Sequence, residues 1–197
     1  TSAEAVQAEA EVWLPSARVA AWALSNMMRG ATPLHLLVDM GVLPSLISLL
    51  AVDDSELTTE LGWVFTFLTA KKEECVSLLL ADSGLGLVRL LCTAMQRIDV
   101  TTPAACPILR CLSNLTHGPV EWTECLLAEP ALLPMLTIVI SSDKTDRRVV
   151  LEAVRVCSSL FNGNAQHRTM VLSTSLLPLI IDKVLPNSTL ELQGEAV

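Results

Sequence analysis

The sequence contains no tyrosine, only three phenylalanines and four tryptophans, so aromatic residues make up 4% of the 197 positions. Leucine, valine and alanine supply most of the apolar residues, which reach 51%. This fraction is ample for a continuous core and argues against disorder. Abundant aliphatic residues with few aromatic ones favour packed helices over a β-sandwich or a barrel.

Positive charge is also scarce. Lysine and arginine total 13 residues against 21 aspartates and glutamates, which gives a formal net charge of −8. Proteins that bind nucleic acid need a basic surface to displace counterions from phosphates. The charge balance therefore argues against a nucleic-acid partner and favours a basic one.

The signatures of common catalytic and metal sites are missing. The sequence has no glycine-rich phosphate loop and no serine, histidine and aspartate at a recognisable spacing. It has no Cys-x-x-Cys pair and no histidine at ligand spacing from a cysteine, which excludes the usual zinc and redox motifs. We expect no enzymatic activity, metal or cofactor, and buried, reduced thiols in an intracellular protein. The cysteines are at positions 75, 92, 106, 111, 125 and 157.

Long uninterrupted hydrophobic runs are absent, although the mean hydropathy is +0.51. Residues 76–95 include Asp82 and Arg89, and residues 170–185 include Pro178. The apolar run at 131–140 is about half of the roughly 20 residues that cross a bilayer. A membrane span is therefore not expected, because helices that pack between neighbours in an array are also apolar on most faces.

A short motif recurs at a nearly constant interval. Trp-Ala-Leu-Ser-Asn at 22–26 aligns with three later segments, which begin at Trp63, Arg110 and Arg155. The intervals between successive segments are 41, 47 and 45 residues. A second series, Leu46, Leu87, Leu136 and Leu179, has steps of 41, 49 and 43 residues. Periods in the low to middle forties are typical of armadillo and HEAT arrays, whereas tetratricopeptide and ankyrin units have about 33 or 34 residues.

Prolines, glycines and capping residues divide the chain into units of three helices. We predict units at 1–30, 31–70, 71–118, 119–163 and 164–197 within one domain, and we expect the chain to begin and end inside repeats. Residues 1–13 are interpreted as the remnant of an upstream unit, and 190–197 as the opening of a helix. Further helices are predicted at 15–29, 33–40, 42–51, 55–69, 71–81, 84–96, 119–128, 130–140, 146–161, 164–173 and 175–185, with another that has Pro107 in its first turn or at a kink and ends near 117.

A short first helix in each unit favours armadillo repeats over two-helix HEAT repeats. The predicted fold is an all-α, armadillo-repeat, right-handed superhelical solenoid of about four repeats, with partial repeats at both ends.

The spacing of Trp22 and Asn26 suggests a binding function. Residues four apart share a helix face, so an indole and a carboxamide lie side by side. The indole can stack on a lysine or arginine stem, and the amide can bond to any peptide backbone. Two alternatives remain open: a tryptophan that belongs to the core, and an asparagine that holds neighbouring repeats in register.

Three segments resemble the importin-α adaptors over about residues 15–185: Trp-Ala-Leu-Ser-Asn at 22–26, Asp-Asp-Ser-Glu-Leu at 53–57 and Leu-Arg-Cys-Leu-Ser-Asn at 109–114. The resemblance implies that the third helices line an acidic concave groove that binds basic nuclear localisation signals. It also implies a role in nuclear import, localisation to the cytoplasm and nucleus, and contact with importin-β through regions outside this chain.

The resemblance carries over unevenly to individual residues. Phe67 stands where the family has asparagine or tyrosine, and Arg155 and Ser159 stand where a second, minor site has tryptophan and asparagine. The alternative function is therefore an armadillo scaffold that has lost signal recognition and binds a folded partner. The candidate peptide-binding residues are Trp22, Asn26, Arg29, Glu56, Glu60, Trp63, Phe67, Arg110, Asn114, Glu152 and Arg155.

Overall fold

All regular secondary structure in the described residues is helical. The computed structural model describes residues 3–30, 37, 39–71, 73–81 and 86–187. Its helices are α1 (Ala3–Arg29), α2 (Leu43–Leu49), α3 (Ser55–Lys71), α4 (Glu73–Ala81), α5 (Leu87–Met95), α6 (Cys106–Asn114, after a 3₁₀ turn at Pro103–Ala105), α7 (Val120–Leu127), α8 (Leu132–Ser141), α9 (Arg147–Phe161), α10 (Ala165–Leu172) and α11 (Leu176–Leu179).

The helices stack in columns that run through successive repeats. The third helices contact one another in the order α1, α3, α6 and α9. The second helices α5, α8 and α11 form another column, and the first helices α4, α7 and α10 form one more. This arrangement confirms the predicted all-α armadillo solenoid, in which each repeat buries its apolar faces against its neighbours.

The core is continuous along the column of third helices. Leu57, Leu61 and Phe65 of α3 and Leu109 of α6 have no exposed surface. Each such side chain contributes about 1.5–3 kcal/mol relative to leaving it in water. A methyl group added at Gly62 would lie 3.3 Å from side-chain atoms of Pro107 and Ile108, so a glycine permits the close approach of α3 and α6.

Polar side chains cap three helices close to the predicted starts. The Oδ1 atom of Asp54 accepts a hydrogen bond from the amide of Leu57 at 2.7 Å. Asp146 accepts one from the amide of Arg148, and Asn164 from the amide of His167. These bonds satisfy amides that have no partner inside their helix.

The structure corrects the prediction at the first helix. Pro15 lies inside α1, which runs from Ala3 to Arg29, and does not open the helix. Residues 3–13 therefore belong to the same helix instead of a separate remnant. Proline removes only one backbone donor, and the alanines and glutamates upstream favour helix strongly enough to continue it.

The last helix is less regular than predicted. After α11 the chain continues as a π-helical segment at Ile180–Val184 and a short α-helix, α12, at Leu185–Asn187. Pro107 lies in the first turn of α6, one of the two predicted positions. The predicted helix at 190–197 lies outside the described residues, and that at 33–40 lies largely outside them.

Burial separates the cysteines into two groups. Cys92, Cys106, Cys111 and Cys157 are buried, as expected, but Cys125 is exposed on α7, so that expectation is wrong for Cys125. Burial raises the pKa of Cys92, Cys111 and Cys157 to about 12 and that of Cys106 to about 11. The side chain of Cys75 is not among those described.

Within the described helices, no single one is long and apolar enough to cross a bilayer. The pair Val120–Leu127 and Leu132–Ser141 reaches that length and composition only when joined, and it is bent by 75°.

Candidate peptide-binding groove

All candidate residues lie on the column of third helices. Their spacing of three, four or seven residues places those of one helix on a common face. We call their combined surface the third-helix surface. It comprises Trp22, Asn26 and Arg29 on α1, Glu56, Glu60, Trp63 and Phe67 on α3, Arg110 and Asn114 on α6, and Glu152 and Arg155 on α9.

The α1 end of this surface is open. Trp22 is 57% exposed, although a tryptophan usually buries most of its area. Asn26 is also exposed, and its Nδ2 atom donates to the carbonyl of Trp22 at 3.0 Å. The indole and the carboxamide are therefore both accessible to a ligand.

A buried serine connects this open end to the neighbouring repeat. The Ser25 hydroxyl is 2.9 Å from both the carbonyl of Trp22 and Oε2 of Glu60. A hydroxyl has one proton, so it donates to one of these oxygens at a time. Sequence reasoning did not assign Ser25 a role, although its place in the Trp-Ala-Leu-Ser-Asn motif was the available signal. Its contact holds the half-buried Glu60 beside α1.

An aromatic pair lies on α3. The rings of Trp63 and Phe67 stack with centroids 5.9 Å apart and an interplanar angle of 21°. Arg29 of α1 lies over the Phe67 ring, with Cζ 5.9 Å from its centroid. Arg110 of α6 lies over the Trp63 ring at 5.7 Å. Each ring therefore has one aromatic neighbour and one guanidinium neighbour, and both cations belong to adjacent repeats.

The α9 end of the surface contains a buried carboxylate. Glu152 is 2% exposed, and its Oε1 accepts from Nε of Arg110 at 2.7 Å and from Nη1 of Arg155 at 3.2 Å. The sequence suggests an acidic groove position here, but this carboxylate is already bonded to two arginines. Arg110 thus contacts both Trp63 and Glu152.

Asn114 and Asn26 occupy equivalent motif positions but have different contacts. The Nδ2 atom of Asn114 donates to the carbonyl of Thr66 and to the hydroxyl of Thr69, both at 3.1 Å. These acceptors are on α3, so Asn114 connects two repeats. This is the register-holding alternative that the sequence left open.

Arg18 of α1, which sequence reasoning did not single out, forms an ion pair with Asp54 at the start of α3. Its Nε and Nη2 atoms contact the two carboxylate oxygens of Asp54 at 3.0 and 2.5 Å. Its Nη1 lies 3.3 Å from the exposed carboxylate of Glu56. The hydrogen bond from Arg18 holds the pKa of Asp54 below its usual value. The signal in the sequence was its position four residues before Trp22.

The described residues contain no group of three or more histidine, cysteine, aspartate or glutamate side chains that could hold a metal ion. The surface instead offers an indole, amides, carboxylates and guanidinium groups. Such a set can bind an extended peptide through its backbone and charged side chains.

The sequence is similar to importin-α subunits. It is 28% identical over 172 residues to importin subunit alpha-2 of Oryza sativa subsp. japonica, which covers 84% of this chain and 32% of that protein. It is 27% identical over 184 residues to importin subunit alpha-9 of Arabidopsis thaliana, covering 89% of this chain and 34% of that protein. The chain thus spans about a third of the length of these relatives. No protein-family model matches the sequence.

Solved structures of armadillo proteins share the fold. A designed armadillo repeat protein superposes with a TM-score of 0.78 and 20% identity, over 91% of this chain and 72% of its own. A second, solved in complex with the peptide (KR)₄, superposes with a TM-score of 0.71 and 20% identity, over 96% and 73%.

Proposed function

Because the chain is an importin-α-like armadillo-repeat protein, we propose that it is a non-enzymatic adaptor that binds extended, basic peptide segments on its third-helix surface. The cargo segments are nuclear localisation signals, and the setting is nuclear protein import between cytoplasm and nucleus. Importin-β would be engaged by regions outside this chain.

One observation carries this proposal. Trp22 is 57% exposed beside the exposed Asn26, on a helix whose neighbour presents Glu60. Tryptophan is enriched among the residues that anchor binding interfaces, so an exposed indole next to a carboxamide and a carboxylate favours a ligand site. A lysine or arginine stem can stack on the indole while its charged end approaches the carboxylate.

The charge of the protein supports a basic ligand. With a net charge of −8, the chain attracts cationic segments at long range and accelerates their encounter. The designed protein that was solved with (KR)₄ indicates that the armadillo fold can carry such a site.

Calorimetric titration with an alternating lysine–arginine octapeptide tests the proposal. We expect the wild type to bind at low salt and Trp22→Ala to weaken the affinity by about twofold to thirtyfold, because a cation–π contact contributes about 0.5–2 kcal/mol.

Trp13→Ala is the matched control. Trp13 is 37% exposed on the same helix, but it lies nine residues before Trp22, which is about two and a half helical turns and places it on the opposite side. If no heat is released, or if both variants bind as the wild type does, the proposal fails. Recovery of only folded, peptide-independent partners would then favour the scaffold alternative.

A further inference from the structure

We propose that Arg29 and Arg110 occupy the cation-binding positions at the Trp63–Phe67 aromatic pair. They exclude the lysine and arginine side chains of a ligand from the centre of the third-helix surface and confine basic ligand residues to the Trp22 end. This inference rests on the proposed function and adds a specificity determinant to it.

Each ring of the aromatic pair already has a cation next to it. Trp63 and Phe67 stack on each other, and a guanidinium from a neighbouring helix lies within 6 Å of each centroid, at 5.7 Å for Arg110 and 5.9 Å for Arg29. A cation–π contact requires a cation within about 6 Å of the centroid. A ligand cation would therefore compete with one of these arginines for the same contact.

Arg110 is also anchored by a carboxylate. Its Nε atom donates to the buried Glu152 at 2.7 Å, so the guanidinium is held by a charge-assisted hydrogen bond as well as by the ring. A ligand that moved Arg110 away from Trp63 would have to break the contacts of Arg110 with both Trp63 and Glu152. The same carboxylate also bonds to Arg155, which leaves it with little capacity for a ligand lysine.

The acidic candidates at the α1 end are not equivalent. Glu56 is contacted by Arg18 at 3.3 Å, so this acidic candidate also has a cation of its own. Trp22, Asn26 and Glu60 differ, since among the described residues no guanidinium or ammonium group contacts them. They are the part of the surface where a basic side chain finds an aromatic face and a carboxylate without displacing a protein cation.

Arg110→Gln is the decisive variant. Glutamine removes the cation from Trp63 but retains an amide that can donate to Glu152. Arg29→Gln is a second, independent variant at an exposed position, whose charged group has no ion pair with any described residue. Arg89→Gln on α5 is the matched control for the loss of one positive charge, because Arg89 is exposed and lies outside the column of third helices.

The experiment measures the dissociation constant of the lysine–arginine octapeptide by calorimetry. As a single substitution, Trp63→Ala should change the dissociation constant by less than about twofold, whereas Trp22→Ala should raise it. Arg29→Gln and Arg110→Gln should each bind the peptide about twofold to tenfold more tightly than Arg89→Gln. Adding Trp63→Ala to Arg110→Gln should abolish its gain.

The outcomes separate this inference from the proposed function. If the wild type binds but depends on Trp63 as much as on Trp22, and the glutamine variants show no gain over Arg89→Gln, the inference is overturned and the function stands. If the wild type does not bind but the glutamine variants do, exclusion by Arg29 and Arg110 is supported, whereas the proposed function and binding at the Trp22 end are overturned. If no variant binds, both are overturned.

Discussion

The Nε atom of Arg110 lies 2.7 Å from Oε1 of Glu152 and joins α6 to α9 across a repeat boundary. The glutamate is buried, whereas the arginine side chain is 45% exposed. A charge-assisted hydrogen bond therefore connects the two repeats, and arginines of the same protein compensate the negative charge of Glu152.

Replacing Glu152 should destabilise the fold. Glu152→Ala removes the acceptor shared by Arg110 and Arg155 and leaves space in a buried region, so we expect the free energy of unfolding to fall by about 1–3 kcal/mol. Chemical denaturation followed by circular dichroism measures this change. Glu121→Ala, at an exposed position in the first turn of α7, is the control and should stay within about 0.5 kcal/mol of wild type. Equal losses in the two variants would contradict the role of Glu152.

The two motif asparagines should respond in opposite ways to the same substitution. Asn114→Ala breaks two bonds to α3 and leaves the Thr66 carbonyl and the Thr69 hydroxyl without this donor. We expect a loss of about 1–3 kcal/mol in the free energy of unfolding.

Asn26→Ala should change stability by no more than about 0.5 kcal/mol, since the side chain is exposed and, among the described residues, bonds only within its own helix. Its effect should appear in peptide affinity instead. Stability measured by denaturation and affinity measured by calorimetry separate the two roles. An Asn26→Ala variant as unstable as Asn114→Ala would show that both asparagines are structural.

The ion pair of Arg18 and Asp54 predicts a pH-dependent contribution to stability. The pKa of Asp54 is lowered in the folded state, chiefly by the hydrogen bond from Arg18. The ionised carboxylate therefore stabilises the fold above the unfolded-state pKa of about 3.9, and this contribution is lost as the pH falls through the lower folded-state value.

Asp54→Asn retains a side-chain oxygen for the helix cap but removes the charge. We expect it to be less stable than wild type near neutral pH, with a difference that narrows as the pH is lowered below about 4. Asp54→Ala should cost about 0.5–2 kcal/mol more because the cap is lost as well. Denaturation curves across this pH range measure both effects, and a difference between wild type and Asp54→Asn that is independent of pH would refute the assignment.

Native-state thiol reactivity should distinguish Cys125 from the buried cysteines. The thiolate is the reactive species, and burial raises the pKa of Cys92, Cys111 and Cys157 to about 12. Alkylation at mildly alkaline pH, followed by peptide mapping, should label Cys125 rapidly and these three only after denaturant is added. Rapid labelling of Cys111 in the native protein would indicate that α6 opens locally.

The repeat, the helical class and most helix positions were predictable from the sequence. The intervals between Trp22, Trp63, Arg110 and Arg155 are properties of the chain alone, and capping residues such as Asp54 act on amides only three residues away. The prediction that Pro15 opens a helix is wrong because the effect of a proline depends on how strongly the residues on both sides favour a helix.

Tertiary structure determines which groups of the third-helix surface pair with one another. The sequence identified Arg29, Trp63, Phe67, Arg110 and Glu152 as one surface, but it could not determine which of them pair with one another. Arg110 reaches Trp63 and Glu152 across 47 and 42 residues of sequence, respectively, because α3, α6 and α9 stack side by side. The residue types follow from local periodicity, whereas their contacts depend on the packing of successive repeats, and that packing determines which groups remain available to a ligand.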